Sequence, residues 1–138
     1  MARWRLFYHL VWATKGREPI LGEDEWRIVS RSMRTTCTDQ GFILHAMGHM
    51  PDHVHVAVSA RPAVAIATVA GRLKGASAHA VNNAPRADRP TFAWQTDYGV
   101  DPFSERALPI VVASIQNQSA RHAANQIWTT IERTTDRP

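Results

Sequence analysis

Residues 50–59 read MPDHVHVAVS, a Pro-Asp turn followed by a run in which every second residue, Val54, Val56 and Val58, is valine. Successive side chains of a β-strand point to opposite faces, so His53 and His55 share one face while Val54, Val56 and Val58 share the other. The preceding run FILHAMGHM, residues 42–50, reads as a second strand, and Pro51-Asp52 joins the two as a hairpin. Two imidazoles at this spacing can ligate one metal ion. They can equally be hydrogen-bonded structural histidines, and the spacing alone leaves both readings open.

Working outward from the hairpin, RWRLFYHLVWAT (residues 3–14) alternates with period two and is bulky on both faces, the pattern of a central strand. Residues 22–40 carry Glu23, Asp24 and Glu25 where a helix N-terminus favours negative charge, then Trp26, Val29, Met33 and Cys37 at helical spacing, and Gly41 ends the helix. A second helix is expected from about Val64 to Asn82, and TFAWQTDYG (residues 91–99) as a fourth strand. A last helix starts between Ser104 and Pro109 and runs to about Ile131, with Leu108, Val111, Val112 and Ile115 on its apolar side. This order predicts an α+β fold: a ferredoxin-like (split βαβ) antiparallel sheet with an additional C-terminal helix carrying part of the active site. The first and third strands then lie together at the centre, bringing His9 beside the histidine pair.

The 138 residues suit a single domain, 1–138. No apolar run approaches the roughly 20 residues that cross a bilayer, and the N-terminus lacks a signal-peptide pattern, so a soluble, cytoplasmic protein is expected. Cys37 has no partner for an internal disulfide and reads as a small core hydrophobe. Of 16 basic residues only Lys15 and Lys74 are lysine, in a net charge of +4. Guanidinium groups pair bidentately with phosphates, so arginine richness suggests a polyanionic partner, although a GC-rich genome produces the same bias.

Five segments carry a resemblance: YHLVWATKGREPIL (8–21), GHMPDHVHVAVS (48–59), LKGASAHAVN (73–82), FAWQTDYG (92–99) and SIQNQSARH (114–122). In this order and at these separations the chain resembles the single-tyrosine HUH transposases, the insertion-sequence-200-like enzymes and their REP-associated relatives. The resemblance implies that His53 and His55 bind a divalent ion, magnesium or manganese, together with Gln118 of the last helix, and that the ion polarises a phosphate of single-stranded DNA. It also implies a hairpin DNA substrate from the ends of a mobile element, a homodimer, and phosphate contacts from Lys74, Arg72 and Arg121, although Lys74 and Arg72 read equally well as a solvated helix surface.

One position departs from the family pattern. A tyrosine one helical turn before the glutamine should attack the DNA, and this chain has Ser114 there. Ser114, Gln118, Arg121 and His122 still form one polar stripe on a helix. A serine hydroxyl lies several ångströms nearer the backbone than a phenol, a misplacement of even about 1 Å can cost roughly 100-fold in rate, and serine needs a base that phenol does not. The expectation is a transposase-family protein that binds single-stranded hairpin DNA and has lost strand cleavage. The alternative is an active transposase using another nucleophile, for which Tyr8 and Tyr98 are the chain's two tyrosines; both stand where the family pattern itself has tyrosine. RNA binding by a ferredoxin-like sheet is a more remote reading, since the aromatic pair of RNA-recognition motifs is not apparent. His9, His45, His49, His79 and His122 read as structural or surface histidines, His9 being the one whose strand neighbours the pair, and Asp52 as a turn residue.

Overall fold

The computed structural model describes residues 5–85 and 89–117. Its elements are β1 (Leu6–Ala13), α1 (Glu23–Gln40), β2 (Ile43–Met50), β3 (His53–Ala60), α2 (Ile66–Asn82), β4 (Gly99–Phe103) and α3 (Leu108–Gln116), with single 3₁₀ turns at Lys15–Arg17 and Glu105–Ala107. The strands form one antiparallel sheet in the order β2-β3-β1-β4. The α+β fold with a four-stranded antiparallel sheet expected from the sequence is therefore present, with β1 and β3 at its centre. No described helix is long and apolar enough to cross a membrane.

The alternation in β1 and β3 divides the molecule. On one face Leu10, Trp12, Val54, Val56 and Val58 are fully buried with Val29 and Met33 of α1 and Val69 and Leu73 of α2. Complete burial of one such side chain contributes about 1.5–3 kcal/mol, so this face supplies the main cohesion of the fold. The other face carries Val11, Ala46 and Ala57, on which Ile115 of α3 packs with Val111, Val112 and Phe103 alongside. The two alanines let the helix approach the sheet closely. Cys37 lies in the first cluster, and burial pushes its thiol up to about 11, as a core residue should behave.

Gly41 closes α1 with φ 78°, a left-handed conformation that favours glycine, and its N–H donates to the Cys37 carbonyl. The acidic first turn does more than meet the helix dipole. Glu25 is buried and paired with Arg89, which reaches across from the segment after α2.

The fourth strand is displaced from its expected place. Residues 91–98 make a single bridge, Thr14 to Trp94, and β4 is instead GVDPF, antiparallel to β1 on its outer side. Pro102 is tolerated there because an edge strand needs no donor on its open side. Residues 92–97 form a strap held between β1 and α2. Gln95 N–H donates to Ala13 O at 2.8 Å and Lys15 N–H to Ala93 O at 3.0 Å. Asn82 clasps both backbone groups of Phe92 (2.7 and 2.8 Å), and Trp94 Nε1 donates to Ser77 Oγ at 2.9 Å. Helix side chains thus take the place of a strand partner. Trp94 meets Trp12 and Phe92 edge to face, a core role.

Candidate functional site

The histidine side chains of β3 face α3, away from α1 and α2. Register places His55 opposite Val11 and His53 opposite Ala13. Both imidazoles are buried, and their rings stand edge to face with centroids 5.1 Å apart. A pair sharing one face at this separation can turn nitrogens toward a common point.

Each ring is held through its Nδ1. His55 Nδ1 lies 2.9 Å from Nε2 of His9, which is diagonally across on β1, fully buried and stacked on it. His53 Nδ1 lies 2.7 Å from Oδ1 of Asp52. A carboxylate only accepts, so His53 carries its proton on Nδ1 in this contact. Asp52 is in turn bonded by Arg17, whose Nε donates to Oδ2 at 3.3 Å. The guanidinium Nη2 also comes within 3.5 Å of His53 Nδ1. An N–H donor there would require the opposite tautomer, and the much shorter carboxylate contact decides against it.

The turn that delivers Arg17 is tightly specified. Gly16 and Arg17 have φ of 65° and 53°, and Arg17 is the one non-glycine residue with positive φ among those described. That conformation costs a non-glycine residue on the order of 1–3 kcal/mol unless surrounding bonds determine it. Arg17 N–H donates to Thr14 O at 2.8 Å, and the buried Thr14 Oγ1 donates to Glu18 O at 2.6 Å. Thr14 N–H donates to Asp52 O and Leu21 N–H to Pro51 O, both at 2.9 Å, so the loop grips the hairpin turn from both sides.

Farther along the same sheet face, His45 Nε2 contacts Ser59 Oγ at 2.9 Å and its ring lies against Phe7. Burial and the Arg5 charge hold His45 below its usual range. On the opposite face His49 stacks on Trp26 at 4.5 Å, and burial outweighs the neighbouring Glu23 to lower its pKa as well. These histidines are structural, as the sequence suggests.

Ser114 is half-buried on α3, the helix that lies over the histidine face. Gln118, Arg121 and His122 lie outside the described residues. Tyr8 and Tyr98 pack against the core cluster on the α1 and α2 side of the sheet, across from His53 and His55. Arg72 is exposed on α2. Lys74 Nζ donates to the carbonyls of Gln95 (2.6 Å), Thr96 (2.8 Å) and Asp97 (3.2 Å). An ammonium has three N–H groups, and these contacts tie Lys74 to the strap. Burial lowers the Lys74 pKa, with Asp97 opposing.

Among the described residues no group of three His, Cys, Asp or Glu side chains is arranged to hold a metal ion. The two imidazoles nevertheless fit a divalent ion: His53 is anchored through Nδ1 on Asp52, which leaves its Nε2 for ligation, and His55 takes the same form when its Nδ1 donates to His9. Sequence reasoning missed Arg17 and the pairing role of Asp52. The Gly16-Arg17 turn beside the hairpin was the available signal.

A family model described as "Transposase IS200 like" matches residues 2–118. ISDra2 transposase TnpA of Deinococcus radiodurans is 37% identical over 75 residues, which is 54% of this chain and 54% of that protein; the chain thus matches about half the length of this curated relative. The crystal structure of a putative transposase from Deinococcus radiodurans R1 superposes with a TM-score of 0.65 at 32% identity, over 83% of this chain and 91% of that one. A REP-associated tyrosine transposase bound to a REP hairpin superposes with a TM-score of 0.64, over 85% of this chain and 68% of that one; at 13% identity this likeness shows the fold.

Proposed function

Because the chain belongs to the IS200-like transposase family, whose pattern spans residues 2–118, we propose that it binds folded single-stranded DNA through a divalent-metal site but does not cut it by the family route. His53 and His55 would hold the ion, magnesium or manganese, with Gln118 as third ligand. The bound ion would supply Lewis-acid polarisation and orientation of a DNA phosphate.

The Nδ1 contacts of His53 and His55 support this reading. The shared bond between His9 and His55 has two arrangements, and ion binding selects one. With the proton on His55 Nδ1, His9 Nε2 accepts and His55 Nε2 carries a lone pair for the metal. With the proton on His9 Nε2, the neutral His55 carries its own proton on Nε2 and cannot ligate. Asp52 imposes the ligating form on His53 in the same way.

The observation that carries the loss of cleavage is the placement of the chain's two tyrosines. Both pack on the far side of the sheet from the histidines, and Ser114 stands at the nucleophile position of the family pattern. Phosphate contacts come from Lys74, Arg72 and Arg121 in this reading. A homodimer belongs to it too, with β2 and β4 offering open sheet edges. Light scattering at micromolar concentration reports it, and a mass of one chain counts against it.

The test is incubation of a single-stranded hairpin DNA and manganese with this chain and with Ser114→Tyr. Both are expected to shift the DNA, and only Ser114→Tyr to form a covalent protein-DNA adduct on a denaturing gel. An adduct on the unsubstituted chain overturns the loss of cleavage. No shift with either protein overturns DNA binding.

A further inference from the structure

We infer that Arg17 is a positioning residue for the metal site: its guanidinium holds the Asp52 carboxylate against His53 Nδ1, which keeps the proton there and Nε2 turned to the ion. The inference rests on the metal-site reading of His53 and His55 proposed above.

Three observations converge on it. Two groups approach the same nitrogen, Asp52 Oδ1 at 2.7 Å and Arg17 Nη2 at 3.5 Å, while Arg17 Nε binds the other carboxylate oxygen at 3.3 Å. The carboxylate is therefore gripped at one oxygen and presented to the imidazole with the other. Second, Arg17 is held in the left-handed region directly after Gly16, and the Thr14 bonds fix that turn against the Pro51-Asp52 backbone. Third, stability is a weak reason for such strain. The Arg17 and Asp52 side chains are 30% and 29% exposed, and ion pairs that reach solvent contribute little. Orientation of a ligating histidine by a carboxylate is worth far more, because losing such a partner typically weakens metal binding 10–100-fold.

The opposite role for Asp52, direct ligation of the ion, predicts the opposite sign. Arg17 would then compete with the metal for the carboxylate, and removing it would tighten binding. The experiment measures Mn²⁺ affinity by electron paramagnetic resonance for the full chain and for His53→Ala, Asp52→Asn, Arg17→Ala and Arg17→Lys, with the His53 tautomer followed by ¹⁵N NMR. His53→Ala is expected to abolish specific binding. Arg17→Ala and Asp52→Asn are expected to weaken it by about 10–100-fold, with a shift of the His53 proton toward Nε2. Arg17→Lys should recover part of the affinity by restoring the charge without the planar fork. Should Arg17→Ala fail to fold, Arg17→Lys and Asp52→Asn carry the test. Binding unchanged by His53→Ala, or absent from the unsubstituted chain, sinks the metal-site reading itself. Binding lost in His53→Ala but unaltered in affinity and tautomer by the Arg17 and Asp52 substitutions leaves the site and refutes the positioning role. Tighter binding in Arg17→Ala refutes it in favour of direct ligation.

Discussion

Replacing His9 by phenylalanine separates packing from ligand orientation in one protein. The ring volume is kept, while the partner of His55 Nδ1 at 2.9 Å is removed from a place where both side chains are 1% exposed. Whichever nitrogen of His55 then carries the proton, Nδ1 loses its bond, and a buried polar atom left without one costs about 1–3 kcal/mol. That loss appears without metal. The metal-linked part is additional: at manganese 100-fold above its dissociation constant the ion stabilises the native state by about 2.7 kcal/mol, and a 10–100-fold weaker site reduces this to about 1.4 or about 0.4 kcal/mol. Urea unfolding of both proteins, with and without manganese at one fixed concentration, reads the two quantities separately. His9→Gln, whose amide oxygen can accept from His55, should recover part of each. If His9→Phe lowers stability without metal yet retains the full manganese increment, the bond is packing and the tautomer argument fails.

Asn82→Ala should destabilise the protein by about 1–2 kcal/mol in urea, because it strips the Phe92 N–H and C=O of their bonds; a change below about 0.5 kcal/mol would mean that the strap stands without its clasp. His55→Asn keeps a donor near the Nδ1 position for His9 and removes the ligating nitrogen, so it should unfold close to the unsubstituted chain in the absence of metal and gain nothing from manganese. Retention of the manganese increment in that variant argues against His55 as a ligand. Stability should also decline as pH falls from about 7 toward 5. His45 and His49 titrate below 6.5 when folded, so between the folded value and 6.5 the unfolded chain binds protons that the native one does not, and stability rises with pH across that window. His49→Phe should flatten the profile, and a profile equally steep without His49 assigns the dependence elsewhere.

The central strands were legible because both obey the two-residue period and are buried on both faces, so the pattern that marks them in sequence is the one that packs them. The histidine pair followed from the same period. The strap was not legible. TFAWQTDYG has the composition of a strand, yet beyond its backbone bonds with Ala13 and Lys15 its partners are Asn82, Ser77 and Lys74, and no local pattern announces that helix side chains will hold its other side. GVDPF reads as a turn because aspartate and proline are poor strand formers, and only the edge position makes Pro102 acceptable. Arg17 escaped for a related reason. Its side chain reaches a hairpin 35 residues away through a backbone conformation that sequence assigns to glycine, and the glycine that signals the turn is its neighbour.

The Nδ1 bonds that orient the candidate ligands also act without an ion. The His9–His55 contact closes the polar side of the central strands, and the Asp52 contact ties the hairpin to the β1 loop, so both histidines have structural work independent of DNA chemistry. His53 and His55 therefore have two roles to separate, one in packing and one, in the proposed reading, in holding an ion. Both functions use Nδ1, and only metal binding uses Nε2. Substitutions that keep a donor at the first position and remove the second nitrogen divide the two, because a purely structural histidine tolerates the loss of Nε2 while a ligand does not. α3 is anchored to the sheet through Ile115, with Val111 and Val112 beside it, and the half-buried Ser114 lies outside that anchoring set, so Ser114→Tyr should leave the fold intact.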